Sequence, residues 1–316
     1  MNIFDYLEQY TKQYIDGAEI TSIDDLSFIV NLNSIYRRIE LKKLDTVYKK
    51  EYRFQKIENT LIDYLEQLNI QYRDYFILKT IDGTIVYDED QFDKTAYFDY
   101  DEENKKYIIY ITLTGTLHDI YTIIHELFHS INFDVNKNSV TRAIFTEFLS
   151  ILGELLLEDY LKKKQIKDSR INNNANLEYL QLISLEVDFN LKLIDTYLEY
   201  GSLNEKNVRQ IFYQYTVNEM EYIKCVIGKM LNNQSLTIDE EQIYIIGIFL
   251  ATYTYYRIQS NPKNIQEFFE LNEAVNNYSI EQFLSFLDLD CENGDLTDES
   301  YKRLERAYRK YLKNRR

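Results

Sequence analysis

The chain has 316 residues with one proline and eight glycines, and its net charge is 36 − 52 = −16. So few turn-forming residues argue against a β-sandwich or barrel, which needs many tight turns, and favour long helices. A surface this acidic repels phosphate backbones, so we expect no nucleic-acid partner.

The cysteines and the hydropathy pattern indicate the compartment. Cys225 and Cys291 form no CxxC pair and no disulfide framework, which is typical of a reducing environment. The first residues lack a basic segment followed by an apolar run, so they predict no signal peptide. No stretch approaches about 20 uninterrupted apolar residues. We therefore expect a cytoplasmic protein with no membrane partner.

Helical periodicity dominates the first 70 residues, and a β-type pattern follows. Apolar side chains recur at helical spacing over residues 2–16, and residues 22–70 continue as two or three helices. Asp82-Gly83 then stands between two β-prone runs, which predicts a hairpin. Two further β-prone runs occupy residues 95–100 and 106–113. Residues 73–113 are therefore predicted to form a small, mostly antiparallel sheet.

After Gly115 the pattern is helical almost to the last residue. Two helix starts carry a capping-box pattern, Thr237 with Glu240 and Ser279 with Gln282. The predicted helices cover residues 117–132, 140–166, 176–200, 204–233, 238–260, 263–277, 280–287 and 297–314. The predicted fold is therefore mainly α. No linker marks a domain boundary, so we place one near residue 92, between an N-terminal helical region (1–92) ending in the hairpin and a second helical region (93–316).

Two of the three histidines form the motif His125-Glu126-Leu127-Phe128-His129. On a helix, residues four apart share a face, so both imidazoles can reach one metal ion. Imidazole nitrogens suit Zn²⁺, and the glutamate after the first histidine can take a proton from water at the metal. The flanking residues are apolar, so the helix is predicted to be buried, where histidines need partners.

The next predicted helix, residues 140–166, offers a third ligand. Three protein ligands plus water is the usual arrangement of catalytic zinc, and two histidines with one glutamate is a standard set. Glu147 lies among apolar neighbours, far enough after His129 for a loop and an antiparallel return. The alternative is an ion pair between Glu147 and Arg142. Glu154, two turns further along, is predicted to accept the outer N–H of a ligand histidine, or alternatively to be a surface acid.

These two segments resemble the thimet oligopeptidase and oligoendopeptidase F family of zinc peptidases. In residues 111–130 (ITLTGTLHDIYTIIHELFHS), the Gly-Thr turn, the Asp-Ile-x-Thr stretch and the HExxH motif follow the family's pattern. In residues 147–161 (EFLSILGELLLEDYL), the family's Glu-x-x-Ser-x-x-x-Glu run is matched. The resemblance implies a helical zincin-type fold with a small sheet before the HExxH helix, one zinc ion and a peptide substrate. A weaker match around Tyr244-x-x-Gly247 implies that Tyr244 stabilises the oxyanion.

The chain departs from the family pattern at several positions. Phe128 replaces the glycine of the family's HExGH, which predicts looser or shifted packing, or a narrower cleft. No histidine follows His129, so oxyanion stabilisation would rest on zinc and Tyr244. His118 precedes His125 by about 10 Å along a helix that rises ~1.5 Å per residue, too far to share its metal. We expect His118 at the rim of the cleft, as a candidate substrate contact.

Taken together, the residues predict a zinc-dependent metallopeptidase that hydrolyses peptide bonds, of oligopeptides in particular. Metal-activated water attacks the carbonyl, with Glu126 as general base and His125, His129 and Glu147 as the metal ligands. One alternative is a catalytically weak or inactive relative that acts as a peptide-binding or regulatory module. Another is a helical interaction protein with an accidental HExxH, in which Glu147 does not reach the two imidazoles.

Overall fold

A computed structural model describes residues 2–17, 51–88, 96–101, 106–132, 140–166, 171–233, 239–261, 278–292 and 295–313. Helices dominate these ranges, so the prediction of a mainly α fold is confirmed. None of the helices described combines the length and the hydropathy that crossing a bilayer requires. The predicted helix at 263–277, the capping box at Thr237 and the domain boundary near residue 92 lie outside the described residues and stay predictions.

The helices agree with the predicted ranges to within a few residues in most cases. They are α1 (Ile3–Gly17), α2 (Phe54–Leu68), α3 (Ile70–Ile81), α4 (His118–Asn132), α5 (Val140–Lys163), α6 (Ile171–Tyr200), α7 (Glu205–Phe212), α8 (Val217–Asn233), α9 (Asp239–Ser260), α10 (Ile280–Phe286) and α11 (Asp298–Lys313). The strands are β1 (Ile85–Asp88), β2 (Ala96–Asp101), β3 (Lys106–Thr112), β4 (Cys291–Glu292) and β5 (Asp295–Leu296). The capping box predicted at Ser279 and Gln282 begins α10, as expected.

The hairpin predicted at Asp82-Gly83 is wrong, because the chain before it forms α3. Gly83 adopts a left-handed φ of +72°, and the amide of Thr84 donates to the carbonyl of Lys79 at 3.0 Å. This is a Schellman ending, which needs the same left-handed glycine as a hairpin turn. Tyr72 and Phe76 are both buried, one helical turn apart, so the apolar spacing is helical as well. An N-terminal region ending in a hairpin is therefore also wrong.

The small sheet has the strand order β1-β3-β2. The pair β2–β3 is antiparallel, as predicted, with Phe98 opposite Ile109. The pair β1–β3 is parallel, with Ile85 opposite Ile109, so the expectation of a mostly antiparallel sheet holds for one of these two pairings. The sheet's central strand, β3, leads directly into the HExxH helix α4.

One predicted helix, residues 204–233, is divided into α7 and α8. The break at 213–216 is fixed by a capping box, since the Thr216 amide donates to Glu219 at 2.7 Å and the Glu219 amide donates to the Thr216 hydroxyl at 3.3 Å. The sequence Thr-x-x-Glu indicates a helix start at this position. The break was not predicted, because apolar residues continue at helical spacing on both sides of it.

The chain divides into two compact units, each built from separate segments. The first contains α1, most of α6, α7, α8, the start of α9 and the β4–β5 pair; its core is packed around Phe189, Ile223 and Val226. The second contains the elements from α2 to α5, the remainder of α9, α10 and most of α11. A core of its own, with Ile57, Leu61 and residues of β3, α4 and α5, supports the HExxH helix.

Candidate metal centre

A buried carboxylate fixes the turn from β3 into α4. Asp119 is 1% exposed and accepts hydrogen bonds from the amide and hydroxyl of Thr114, at 2.9 and 2.6 Å, and from the amide of Gly115 at 2.9 Å. An acid in the first turn also suits the positive end of the helix dipole. The direction in which α4 leaves the sheet is therefore set by side-chain bonds within six residues.

The apolar face of α4 packs into the core of the second unit, as predicted from its neighbours in sequence. Its fully buried residues are Ile120, Tyr121, Ile123, Ile124, Leu127 and Phe128. His125 and His129 lie one turn apart and are only partly buried, with 18% and 20% of their side chains exposed. The helix thus holds two imidazoles rigidly while leaving each of them reachable from solvent.

Three side chains with metal-ligating atoms converge between α4 and α5. The Nε2 atoms of His125 and His129 are 2.9 Å apart, His129 Nε2 lies 3.2 Å from Glu147 Oε1, and His125 Nε2 lies 3.6 Å from Glu147 Oε2. Ligand atoms on tetrahedral zinc, at bond lengths of 2.0–2.2 Å, are about 3.3–3.6 Å apart. The 3.6 Å distance lies in this range and the 2.9 and 3.2 Å distances lie below it, so the side chains would have to separate slightly to bind one such ion. In the part of the chain that the structure describes, the Glu147 carboxylate forms these two contacts with the histidines, and neither involves Arg142, the alternative partner.

The ligand atoms of His125, His129 and Glu147 are of the types that bind a metal cation. Glu147 Oε2 is buried and has no hydrogen-bond partner, because His125 Nε2 lies 3.6 Å away, and a buried carboxylate oxygen without a hydrogen bond is costly. Two ring nitrogens and one carboxylate are a standard zinc set. Among the residues that the structure describes, His125, His129 and Glu147 are the group whose geometry could hold a metal ion, and His118 is not part of it.

The electrostatics of the pair of histidines also favour positive charge. Burial opposes a charged imidazole at His125, but a hydrogen bond to Glu154 and the nearby carboxylates of Glu147 and Glu126 outweigh it and raise its pKa to about 10. Burial would raise the pKa of Glu147, but the charge and hydrogen bond of His129, together with His125, lower it overall. The site is therefore acidic enough to attract a proton or a metal cation.

Two residues of α5 form hydrogen bonds with His125, one with its ring and one with its backbone carbonyl. Glu154, which is 5% exposed, places Oε1 2.7 Å from His125 Nδ1, the contact predicted for it. The hydroxyl of Ser150 donates to the backbone carbonyl of His125 at 3.1 Å, a bond that was not predicted from the sequence. The sequence could have indicated this bond, because Ser150 lies one turn from both Glu147 and Glu154 and therefore on the same face of the helix.

The remaining predicted site residues occupy different places. Glu126 is half-buried on α4, beside the first ligand histidine. His118 begins α4, and its Nε2 lies 3.4 Å from the Thr122 hydroxyl. Tyr244 is half-buried on the part of α9 that belongs to the first unit. Roles for His118 in substrate contact and for Tyr244 at the oxyanion stay predictions.

Phe128, which stands where the resembled family has glycine, packs against a glycine of the neighbouring helix. A Cβ atom on Gly153 would lie 2.6 and 2.8 Å from two ring atoms of Phe128, closer than real contacts allow. The ring is 1% exposed and also meets Tyr72 edge-on at 5.4 Å between centroids. α4 and α5 therefore approach closely at Phe128 because the facing residue on α5, Gly153, has no side chain.

We expect Gly153→Ala to lower the free energy of unfolding by up to about 2 kcal/mol. The gain in helix propensity, about 1 kcal/mol, offsets only part of the overpacking cost, which reaches about 3 kcal/mol. Chemical denaturation measures the difference. Gly228→Ala is the matched control, because open space surrounds that helical position, and it should stabilise the protein. If Gly153→Ala were as stabilising as the control, the packing described here would be wrong.

This chain is similar to known proteins in structure but not detectably in sequence. No protein-family model matches the sequence, and no curated protein is significantly similar to it. Solved structures do match: a protein from Chlamydophila abortus assigned as a peptidase (20% identity, TM-score 0.56), one from Bacillus anthracis str. Ames assigned as oligoendopeptidase F (13%, 0.55), and PZ peptidase A with an inhibitor (13%, 0.60).

The structural match extends over nearly the whole chain. It covers 96–98% of this chain and 55–58% of those structures, so the chain spans a little over half of their length. At these identities the likeness concerns the fold. The expectation drawn from the HExxH and Glu147 segments is confirmed at that level: this chain has the helical fold found in the oligoendopeptidase F and PZ peptidase structures.

Proposed function

We propose that the protein is a zinc-dependent peptidase, in which His125, His129 and Glu147 bind one zinc ion. The observation that carries the proposal is the convergence of two Nε2 atoms and one carboxylate on a common point, 2.9–3.6 Å from one another. The partial exposure of all three side chains supports a catalytic site, since a catalytic zinc keeps one position open to solvent or substrate. The shared fold of solved peptidase structures supports the reaction class.

A zinc ion held there would act as a Lewis acid toward the peptide carbonyl and would lower the pKa of water to about 7. Glu126 takes a proton from the attacking water as its oxygen bonds to the carbonyl carbon. The same carboxyl then gives that proton to the leaving nitrogen as the C–N bond breaks. Glu154 accepts from Nδ1–H of His125, which keeps the Nε2 lone pair facing Glu147 and His129.

Oligopeptides are the proposed substrates and the cytoplasm the proposed location. The substrate class rests on the resemblance of the two site segments to oligopeptidases. The location rests on two cysteines without a disulfide, Cys225 exposed and Cys291 partly buried.

The test is cleavage of a mixture of quenched peptides by the zinc-loaded chain, followed by chelation and addition of Zn²⁺. We expect cleavage that a chelator abolishes and zinc restores. Peptide binding without cleavage would contradict the enzymatic proposal and support the peptide-binding or regulatory alternative. Cleavage that persists after complete metal removal would contradict the assigned chemistry.

A further inference from the structure

A glycine on a third helix touches the backbone of the proposed ligand Glu147. Gly247 lies on α9, within the second unit, and a Cβ atom there would lie 3.0 Å from Glu147 Cβ, 3.2 Å from the Phe148 nitrogen and 3.3 Å from the Glu147 carbonyl carbon. Distances of 3.0–3.4 Å are tighter than nine in ten real Cβ contacts. The two helices can therefore lie this close at Glu147 only while residue 247 has no side chain.

The helical glycines of the chain differ in what surrounds them. Nothing lies within 4 Å of the Cβ position of Gly228, and the nearest atoms to that of Gly153 belong to side chains, chiefly the Phe128 ring. At Gly247 two of the three nearest atoms are backbone. A side chain can rotate away from a new methyl group, but backbone in a helix moves only if the helix moves, and Glu147 would move with it.

The size of that movement matters for a metal site. Relieving a contact of this kind requires a displacement of a few tenths of an ångström. Metal–ligand distances tolerate about 0.2 Å, and a functional constellation must be held to within about 0.5 Å. A displacement that an ordinary core accepts is therefore large enough to weaken ligation by Glu147.

We propose that Gly247 is a positioning residue for the zinc site. Because it lacks a side chain, α9 can pack closely against α5 at the position where Glu147 contacts the two histidines. The inference rests on the proposed zinc function. Within the described residues α9 supplies no member of the metal-ligating group, so its effect on the metal would be exerted through Glu147.

The experiment measures zinc affinity by competition with a chelating dye for the wild type, Gly247→Ala, Gly228→Ala and Val226→Ala. We expect about 10-fold or greater weakening for Gly247→Ala, comparable to the loss of a group that supports a metal ligand. Gly228→Ala should bind as the wild type does. Val226→Ala truncates a fully buried side chain in the core of the first unit, so it controls for lost stability alone and should also keep its affinity.

The outcomes separate the two proposals. A wild type that binds no zinc would overturn the proposed function and the role of Gly247 with it. A wild type that binds zinc, with Gly247→Ala binding equally well, would overturn the role of Gly247 alone. Equal weakening in Gly247→Ala and Val226→Ala would also overturn it, because the effect would then follow stability.

A second measurement uses only the wild-type protein, so it tests the role of Gly247 even if Gly247→Ala fails to fold. Hydrogen exchange of the wild type, with and without zinc, should show added protection in α5 and in α9 around residues 246–250. α9 also contacts α5 where the Tyr255 hydroxyl donates to Asp159 at 2.8 Å, and protection there should be weaker. Protection of α5 without any at 246–250 would contradict the proposal.

Discussion

Glu126→Gln is expected to lower kcat for peptide cleavage by about 10²–10⁴-fold, the range that a general base contributes. Glutamine has the same shape but cannot take a proton from water. Glu126 is outside the three-residue ligand group, so the zinc content of the variant should equal that of the wild type. Steady-state kinetics and metal analysis on the same preparation measure both quantities.

Glu221→Gln is the control for the loss of one negative charge, because Glu221 is exposed on α8, and its activity should be unchanged. Near-normal turnover in Glu126→Gln would show that another group accepts the proton. Loss of zinc together with activity would show that Glu126 acts on the metal and not on the water.

Glu147→Gln is expected to weaken zinc binding by more than the 10–100-fold typical of an outer partner, and cleavage should fall with the metal content. The amide fills the same space beside Gly247 but brings no charge to the two imidazoles. Competition with a chelating dye gives the affinity. The effect is large because the carboxylate supplies the negative charge and one of the three protein ligands.

Glu154→Gln provides a graded comparison for the same measurement. Glu154 contacts the outer nitrogen of His125, so its loss should weaken zinc binding by about 10–100-fold, less than the loss of Glu147. An unchanged zinc affinity in Glu147→Gln would mean that the third ligand lies elsewhere. A larger loss in Glu154→Gln than in Glu147→Gln would reverse the roles assigned to the two acids.

Features set by local periodicity could be predicted from the sequence. The four-residue spacing of His125 and His129 places both on one helical face, and the resemblance at residues 147–161 indicated Glu147 and Glu154 on the returning helix. The bounds of α4 and α5 follow from the same spacing. These predictions depend on neighbours within a few turns, which is the range over which a helix fixes geometry.

Features set by contacts between distant segments could not be predicted in this way. The Asp82-Gly83 pair is compatible with a hairpin and with a helix ending, and the packing of Phe76 in the core decides for the helix. Gly247 lies 100 residues from Glu147 in the sequence, and no local pattern indicates that their backbones touch. The partner of Phe128 on α5 is a tertiary contact of the same kind.

X-ray absorption at the zinc edge of the loaded wild-type protein would identify the atoms that bind the metal. We expect one zinc per chain, with two imidazole nitrogens at about 2.0–2.1 Å and a carboxylate oxygen at about 2.0–2.2 Å. A protein that retains no zinc, or a zinc with sulfur at about 2.3 Å from Cys225 or Cys291, would contradict it.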